Sequence, residues 1–133
     1  MPLNCSIVTP SKSVYEGEIE YISAPGKEGE FGVLPGHESF ITVLDVGLVD
    51  VHINDNNKKR FLIVGGYFEI TEDNIVVIAD EVLSKEEIDE AEAKEKLQKY
   101  KSELASMKPD SANYELIKRK VKTYEKMVEL VSK

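Results

Sequence analysis

The spacing of apolar residues changes once along this chain, at Ser84, and that change constrains the fold more than any other feature. Ahead of Ser84 apolar residues alternate with polar ones or run in short blocks, as in β-strands. Beyond it they recur every three or four residues, as on one face of a helix. A chain of 133 residues divided in this way is predicted to be α+β, with an N-terminal β-sandwich over residues 1–83 and a C-terminal antiparallel two-helix hairpin over residues 84–133. Charge divides at the same place. Residues 1–83 carry 5 basic and 14 acidic side chains, and residues 84–133 carry 12 and 11. An acidic module joined to a nearly neutral, densely charged one points to two modules that meet different surfaces.

Within the first module, Tyr15-Glu16-Gly17-Glu18-Ile19-Glu20-Tyr21 alternates, with three carboxylates on one face. Val49-Asp50-Val51-His52-Ile53 alternates too, and Phe61-Leu62-Ile63-Val64 is its predicted return strand beyond the turn cluster Asn54-Asp55-Asn56-Asn57. Tyr67–Ile70 and Ile75–Ala79 form a second predicted pair around Thr71–Asn74. The unbroken apolar runs Phe61–Val64 and Ile75–Ala79 predict strands covered on both faces or at a sandwich centre.

In the second module, Ser84-Lys85-Glu86-Glu87 reads as a capping box opening a helix to about Ser106. Lys108-Pro109-Asp110-Ser111 breaks it, since proline disfavours helical geometry in the residue before it. Asp110 or Ser111 then caps a second helix to about Val131. Tyr114, Ile117, Val121, Tyr124, Val128 and Val131 are spaced 3, 4, 3, 4, 3 and form a seam. Leu97, Tyr100, Leu104 and Met107 repeat that spacing on the first helix, preceded by Ile88 and Ala91. Two narrow seams suit a hairpin closed on itself, or an arm reaching another protein.

Little here suggests catalysis. Glu16, Glu18 and Glu20 share a face as any solvated strand edge does. His37 and His52 lack a second His or Cys at ligand spacing, so no metal is predicted. Cys5 has no supporting constellation, and a single cysteine fits a reducing compartment. Gly65-Gly66 lacks the Lys-Ser/Thr of a phosphate-binding loop; a bend or bulge at a strand start is its plain reading. A net charge of −8 argues against nucleic acid as the main partner. No apolar run approaches the length of a membrane span, and Met1–Cys5 leads to no expectation of a signal peptide.

The segment Gly29-Glu30-Phe31-Gly32-Val33-Leu34-Pro35-Gly36-His37 places four Gly or Pro in nine residues around a short apolar strand, then presents His37 and Glu38 after a Pro-Gly turn. Gly65-Gly66 opening a strand, Ile75-Val76-Val77-Ile78-Ala79-Asp80 closing the β part and a charged helical tail follow in order. This combination resembles the epsilon-subunit family of the bacterial F-type ATP synthase, called delta in mitochondria, over essentially the whole chain. The resemblance implies a non-catalytic subunit of the rotary central stalk that couples c-ring and gamma rotation to the alpha/beta catalytic head. It would lie at the cytoplasmic face of the bacterial inner membrane, touching the membrane only through the c-ring.

By the same resemblance, Glu30, Phe31, His37 and Glu38 are candidates for the gamma or c-ring interface. The helical hairpin would regulate ATP hydrolysis, with Lys118, Arg119, Lys120 and Lys122 facing the catalytic beta subunits. Many bacterial members bind ATP through a motif Ile/Leu-Asp-x-x-Arg-Ala. Here Ile88, Asp89 and Ala93 match, and Lys122 and Lys126 could assist, but Glu92 replaces the arginine, so weak or no ATP binding is expected. No other cofactor is implied. The alternative reading is a stand-alone β-sandwich protein-binding module with a helical oligomerisation tail; an enzyme ranks behind both.

Overall fold

The computed structural model describes residues 2–132. The chain divides into two compact units, Met1–Leu83 and Ser84–Lys133. The first holds strands β1 (Leu3–Val8), β2 (Ser13–Ile19), β3 (Tyr21–Gly26), β4 (Gly29–Val33), β5 (Phe40–Asn54), β6 (Asn57–Thr71), β7 (Asn74–Ala79) and β8 (Val82–Leu83). They pair in the order β2-β1-β7-β6-β5-β3-β4, with β8 added beside β6. All pairs are antiparallel except β1 with β7. One core gathers Leu3 and Ile19 from one end of this path with Ile22 and Val33 from the other. The continuous sheet therefore folds over on itself to make the sandwich.

That folding is built into β5 and β6. Their register is unbroken from Phe40↔Ile70 through Leu44↔Gly66 and Val46↔Val64 to His52↔Lys58. Yet the core-facing residues of β6 are Phe61 and Ile63 in one half and Phe68 and Ile70 in the other. Side chains alternate along a strand, so the inward face has changed from odd to even positions. β5 makes the matching change between Leu44 and Val49. The switch in β6 falls at Gly65 and Gly66, whose φ angles of +79° and +139° interrupt the extended backbone. A Cβ at Gly66 would collide with the Ile78 carbonyl oxygen of the adjacent strand.

Several expectations need correction here. Gly65-Gly66 does not open a strand; Phe61–Val64 and Tyr67–Ile70 are halves of one 15-residue strand. The stretch Tyr15–Tyr21 is split at Glu20, whose amide donates to the His52 carbonyl at 2.7 Å as the chain crosses from β2 to β3. Phe61–Ile63 is buried on both faces, but Ile75–Ala79 is covered on one only: Ile78 is 52% exposed. The Asn54–Asn57 hairpin and the β6–β7 pairing lie where the turn residues put them.

The second unit begins with a short 3-10 turn, Lys85–Glu87, followed by helices α1 (Glu90–Ala105) and α2 (Tyr114–Val131). The Ser84 capping box is present, its amide donating to Glu87 Oε1 at 2.9 Å, but it closes only that turn. Ile88 is extended, and Asp89 caps α1 by accepting from the Glu92 amide at 3.0 Å. Helix α1 thus starts six residues after Ser84, and α2 starts at Tyr114 behind Asn113 rather than behind Asp110 or Ser111. The seam of α1 runs back from Leu97 through Ala93, four residues earlier, and not through Ala91: Ala93 is buried and Ala91 exposed. Tyr100 stacks on Tyr124 with ring centroids 5.6 Å apart, joining the two seams.

Gly66→Ala tests the bend. The added Cβ meets backbone and forces a disfavoured φ, so the variant should lose about 1–3 kcal/mol from strain alone in urea unfolding. Unchanged stability would mean that the bend tolerates a side chain.

Candidate interaction surfaces

The connection between β4 and β5 carries most of the predicted site. Leu34–His37 is a turn closed by the His37 amide on the Leu34 carbonyl at 3.3 Å. Pro35 stands at its second position and Gly36, at φ +88°, at its third, as a type II turn requires. Residues 34–39 are all exposed. The Gly36 amide donates to Asp73 Oδ1 in the β6–β7 turn at 2.8 Å. His37 Nδ1 lies 2.7 Å from the Glu38 carbonyl oxygen, and its ring rests 5.0 Å from that of Phe40.

Phe40 brings two predicted residues together, because Phe31 packs edge-on against it at 5.4 Å and against Phe68 at 5.0 Å. Phe31 is only partly exposed and packs against the core. Glu30 and Glu38 are exposed, Glu30 on β4 opposite Pro25.

A further surface escaped the sequence reading. Val43 of β5 pairs with Tyr67 of β6, which pairs with Ile78 of β7. All three face away from the core and are 44%, 54% and 52% exposed; Ile41 beside them is 65% exposed. The strip is contiguous across neighbouring strands, and Glu16 and Glu18 lie on the exposed side of β2 at the sheet's edge. A row of large apolar side chains left in water marks a surface made for a partner. Its signal was the run Ile75–Ala79, which has more apolar residues than a strand with one wet face needs.

On the helical unit, Lys118 and Arg119 are exposed, whereas Lys120 lies over the Tyr100 ring at 5.4 Å. Lys122 is half-buried. The predicted basic run is thus divided between solvent and the Tyr100 ring.

Around the start of α1, Asp89 is committed to capping and Ala93 is buried. Glu92 binds Lys96 at 3.1 Å, and that bond pushes the Lys96 ammonium up. Lys126 lies 3.4 Å from Glu129. Among the described residues no group of three or more His, Cys, Asp or Glu could hold a metal ion. No described helix is long and apolar enough to cross a membrane.

A bent sandwich with an open apolar strip, a shaped loop and a charged helical hairpin describes a subunit that works through its surfaces. Residues 2–85 match the family model described as ATP synthase, Delta/Epsilon chain, beta-sandwich domain, and the chain belongs to that family. It is similar to the ATP synthase epsilon chain of Helicobacter hepaticus, 34% identical over 121 residues covering 91% of this chain and 92% of that one. It is 36% identical to that of Campylobacter jejuni strain RM1221, over 83% of this chain and 85% of the relative. The match to Prochlorococcus marinus strain MIT 9301 is 32% over 89% and 87%.

Among solved structures, a chain of the Euglena gracilis mitochondrial ATP synthase, in an OSCP/F1/c-ring assembly, shares the fold with a TM-score of 0.86 at 22% identity, over 99% of this chain and 82% of that one. A chain from the central stalk/c-ring of the Tetrahymena thermophila enzyme gives 0.58 at 14% identity, over 99% and 95%. This chain is accordingly a non-catalytic subunit of an ATP synthase, of the delta/epsilon kind.

Cys5, buried in the sandwich core, supplies a pH test. Burial pushes its thiol from 9.0 up to about 12. The unfolded thiol ionises first, so its contribution is complete below pH 9.0 and is lost as pH rises towards about 12. In that window the wild type should lose stability more steeply than Cys5→Ala, by about 1.4 kcal/mol per pH unit. Parallel slopes in urea unfolding would contradict it.

Proposed function

We propose that residues 1–83 are the coupling module of the stalk, binding gamma through the strip Ile41, Val43, Tyr67 and Ile78 and meeting the c-ring with the β4–β5 loop. The strip is the observation that carries this reading. Four large apolar side chains on neighbouring strands lie open to solvent, and covering them with a partner removes that apolar area from water. The structural neighbours come from F1/c-ring and central-stalk/c-ring assemblies, which supports a place beside the ring. Glu30, His37 and Glu38 then stand on the exposed loop side as ring or gamma contacts, and Phe31 holds the loop from within. The protein would be peripheral, at the cytoplasmic face of a bacterial membrane, reaching it through the ring.

Val43→Glu and Tyr67→Glu test the strip. Both residues are exposed, so melting temperatures should hold while affinity for gamma falls about 30-fold or more, the effect of losing an interface hot spot. Wild-type affinity in both variants would move the gamma interface elsewhere.

Residues 84–133 are the regulatory element in this reading. The hairpin is held by narrow seams and the Tyr100–Tyr124 stack, and it carries Lys118, Arg119 and Lys122 towards acidic surfaces of the catalytic beta subunits when it extends. It has little provision for ATP. Glu92 sets a carboxylate where a phosphate would lie, and Asp89 is occupied as a cap.

Deleting residues 85–133 should raise ATP hydrolysis by the assembled enzyme, and calorimetric titration of the intact chain should show no micromolar ATP site. Unchanged hydrolysis would remove the braking role. Micromolar binding would show that the basic residues of α2 outweigh Glu92.

A further inference from the structure

We propose that Asp73 is a positioning residue: its carboxylate latches the Leu34–His37 turn to the β6–β7 hairpin and so sets the shape this loop presents to the c-ring. The inference rests on the reading of that loop as ring-facing. Six consecutive exposed residues, 34–39, link β4 to β5. A connection of this kind has no sheet pairing to hold it and is free to move unless tied. The bond from Gly36 N–H to Asp73 Oδ1, 2.8 Å long, ties it to a segment 37 residues away. An ionised carboxylate accepting a backbone amide makes a stronger bond than a neutral oxygen does.

The backbone at Asp73 admits glycine as well as aspartate, and only aspartate offers the Gly36 amide a side-chain acceptor. Glu72 and Asp73 form the two-residue turn between Thr71 and Asn74, with φ of +49° and +64°. Turns of this geometry favour glycine at the second position, because a Cβ is disfavoured there. Glycine would satisfy the backbone more easily and offer no acceptor to Gly36. Asp73 is also half-buried while Glu72 and Asn74 on either side are exposed. Its own carbonyl accepts from the Asn4 amide at 2.8 Å, so the latch is anchored to the first strand as well as to its hairpin.

The turn is therefore held at two points. Asp73 fixes Gly36 from one side, and the Phe40 ring, stacked 5.7 Å from Phe68, supports His37 from the other. Leu34, 62% exposed, precedes both points at the start of the turn.

Asp73→Gly keeps the turn conformation and removes the acceptor. Asp73→Asn keeps a side-chain oxygen and tolerates the same backbone. In the full-length chain the Gly36 amide should exchange with deuterium at least tenfold faster in Asp73→Gly, and at a rate between that and the wild type in Asp73→Asn, whose neutral oxygen makes the weaker bond. In the assembled enzyme, Asp73→Gly should bind gamma within twofold of wild type yet pump fewer ions per ATP hydrolysed, and Asp73→Asn should restore pumping. Unchanged Gly36 exchange in Asp73→Gly overturns the latch. Faster exchange with normal pumping overturns its role at the ring, and lost gamma binding shows a general defect instead of positioning. If the wild-type chain itself supports no pumping, the central-stalk reading fails with the ring-facing part of the proposal, while the exchange rates still decide the latch.

Discussion

Strands β5 and β6 keep one register from Phe40↔Ile70 to His52↔Lys58 while the face they turn inward changes from even to odd positions in β5 and from odd to even in β6. Every other part of the sandwich depends on this coordinated switch. One half of the hairpin pairs with β7 and thereby reaches β1 and β2; the other pairs with β3 and β8. Had the two strands switched at different points, their hydrogen bonds would have slipped and one layer would have turned its apolar residues outward. The glycines at 65 and 66 permit the turn without a clash, and their neighbours Val46, Leu48 and Leu62 stay buried on the face opposite the core.

The sequence made the hairpins legible because their turn residues are local. Asn54–Asn57 and Thr71–Asn74 each close a pair whose strands show their own periodicity. The glycines announced a bend or bulge, but its place in the middle of one strand was hidden for a physical reason. Around the switch, from Phe61 to Phe68, every residue is aliphatic, aromatic or glycine, so there is no alternation to interrupt and Gly65-Gly66 read as a boundary. The start of α1 misled in another way. Ser84 and Asp89 both carry cap signals and both are used, but an extended Ile88 between them leaves the first with a single short turn.

Site legibility followed the same division. The Pro-Gly turn at residues 34–37 was visible from composition, because only a few residue types suit a type II turn. The strip Val43–Tyr67–Ile78 was not. An apolar run is ordinarily a buried one, and only the register shows that Ile78 of this run stands in water beside Tyr67. Asp73 was beyond reach, since nothing local connects it to Gly36; the bond exists only because the fold brings two distant turns together.

The two units also differ in how firmly their parts are held. In the sandwich, side chains from all eight strands meet in one core, and many are completely buried. In the helical unit the buried apolar residues are Ala93, Ile117, Val121 and Leu130 among the described residues, and much of the contact is made by half-exposed aromatic and lysine side chains. Local opening costs least where few apolar contacts must break. A rotating coupling needs the opposite, since an element that opens under load transmits no torque. The proposed assignment of coupling to the sandwich and of regulation to the hairpin therefore follows the gradient of internal packing. The Asp73 latch extends the rigidity of the sandwich into a loop that would otherwise belong to the yielding part of the molecule.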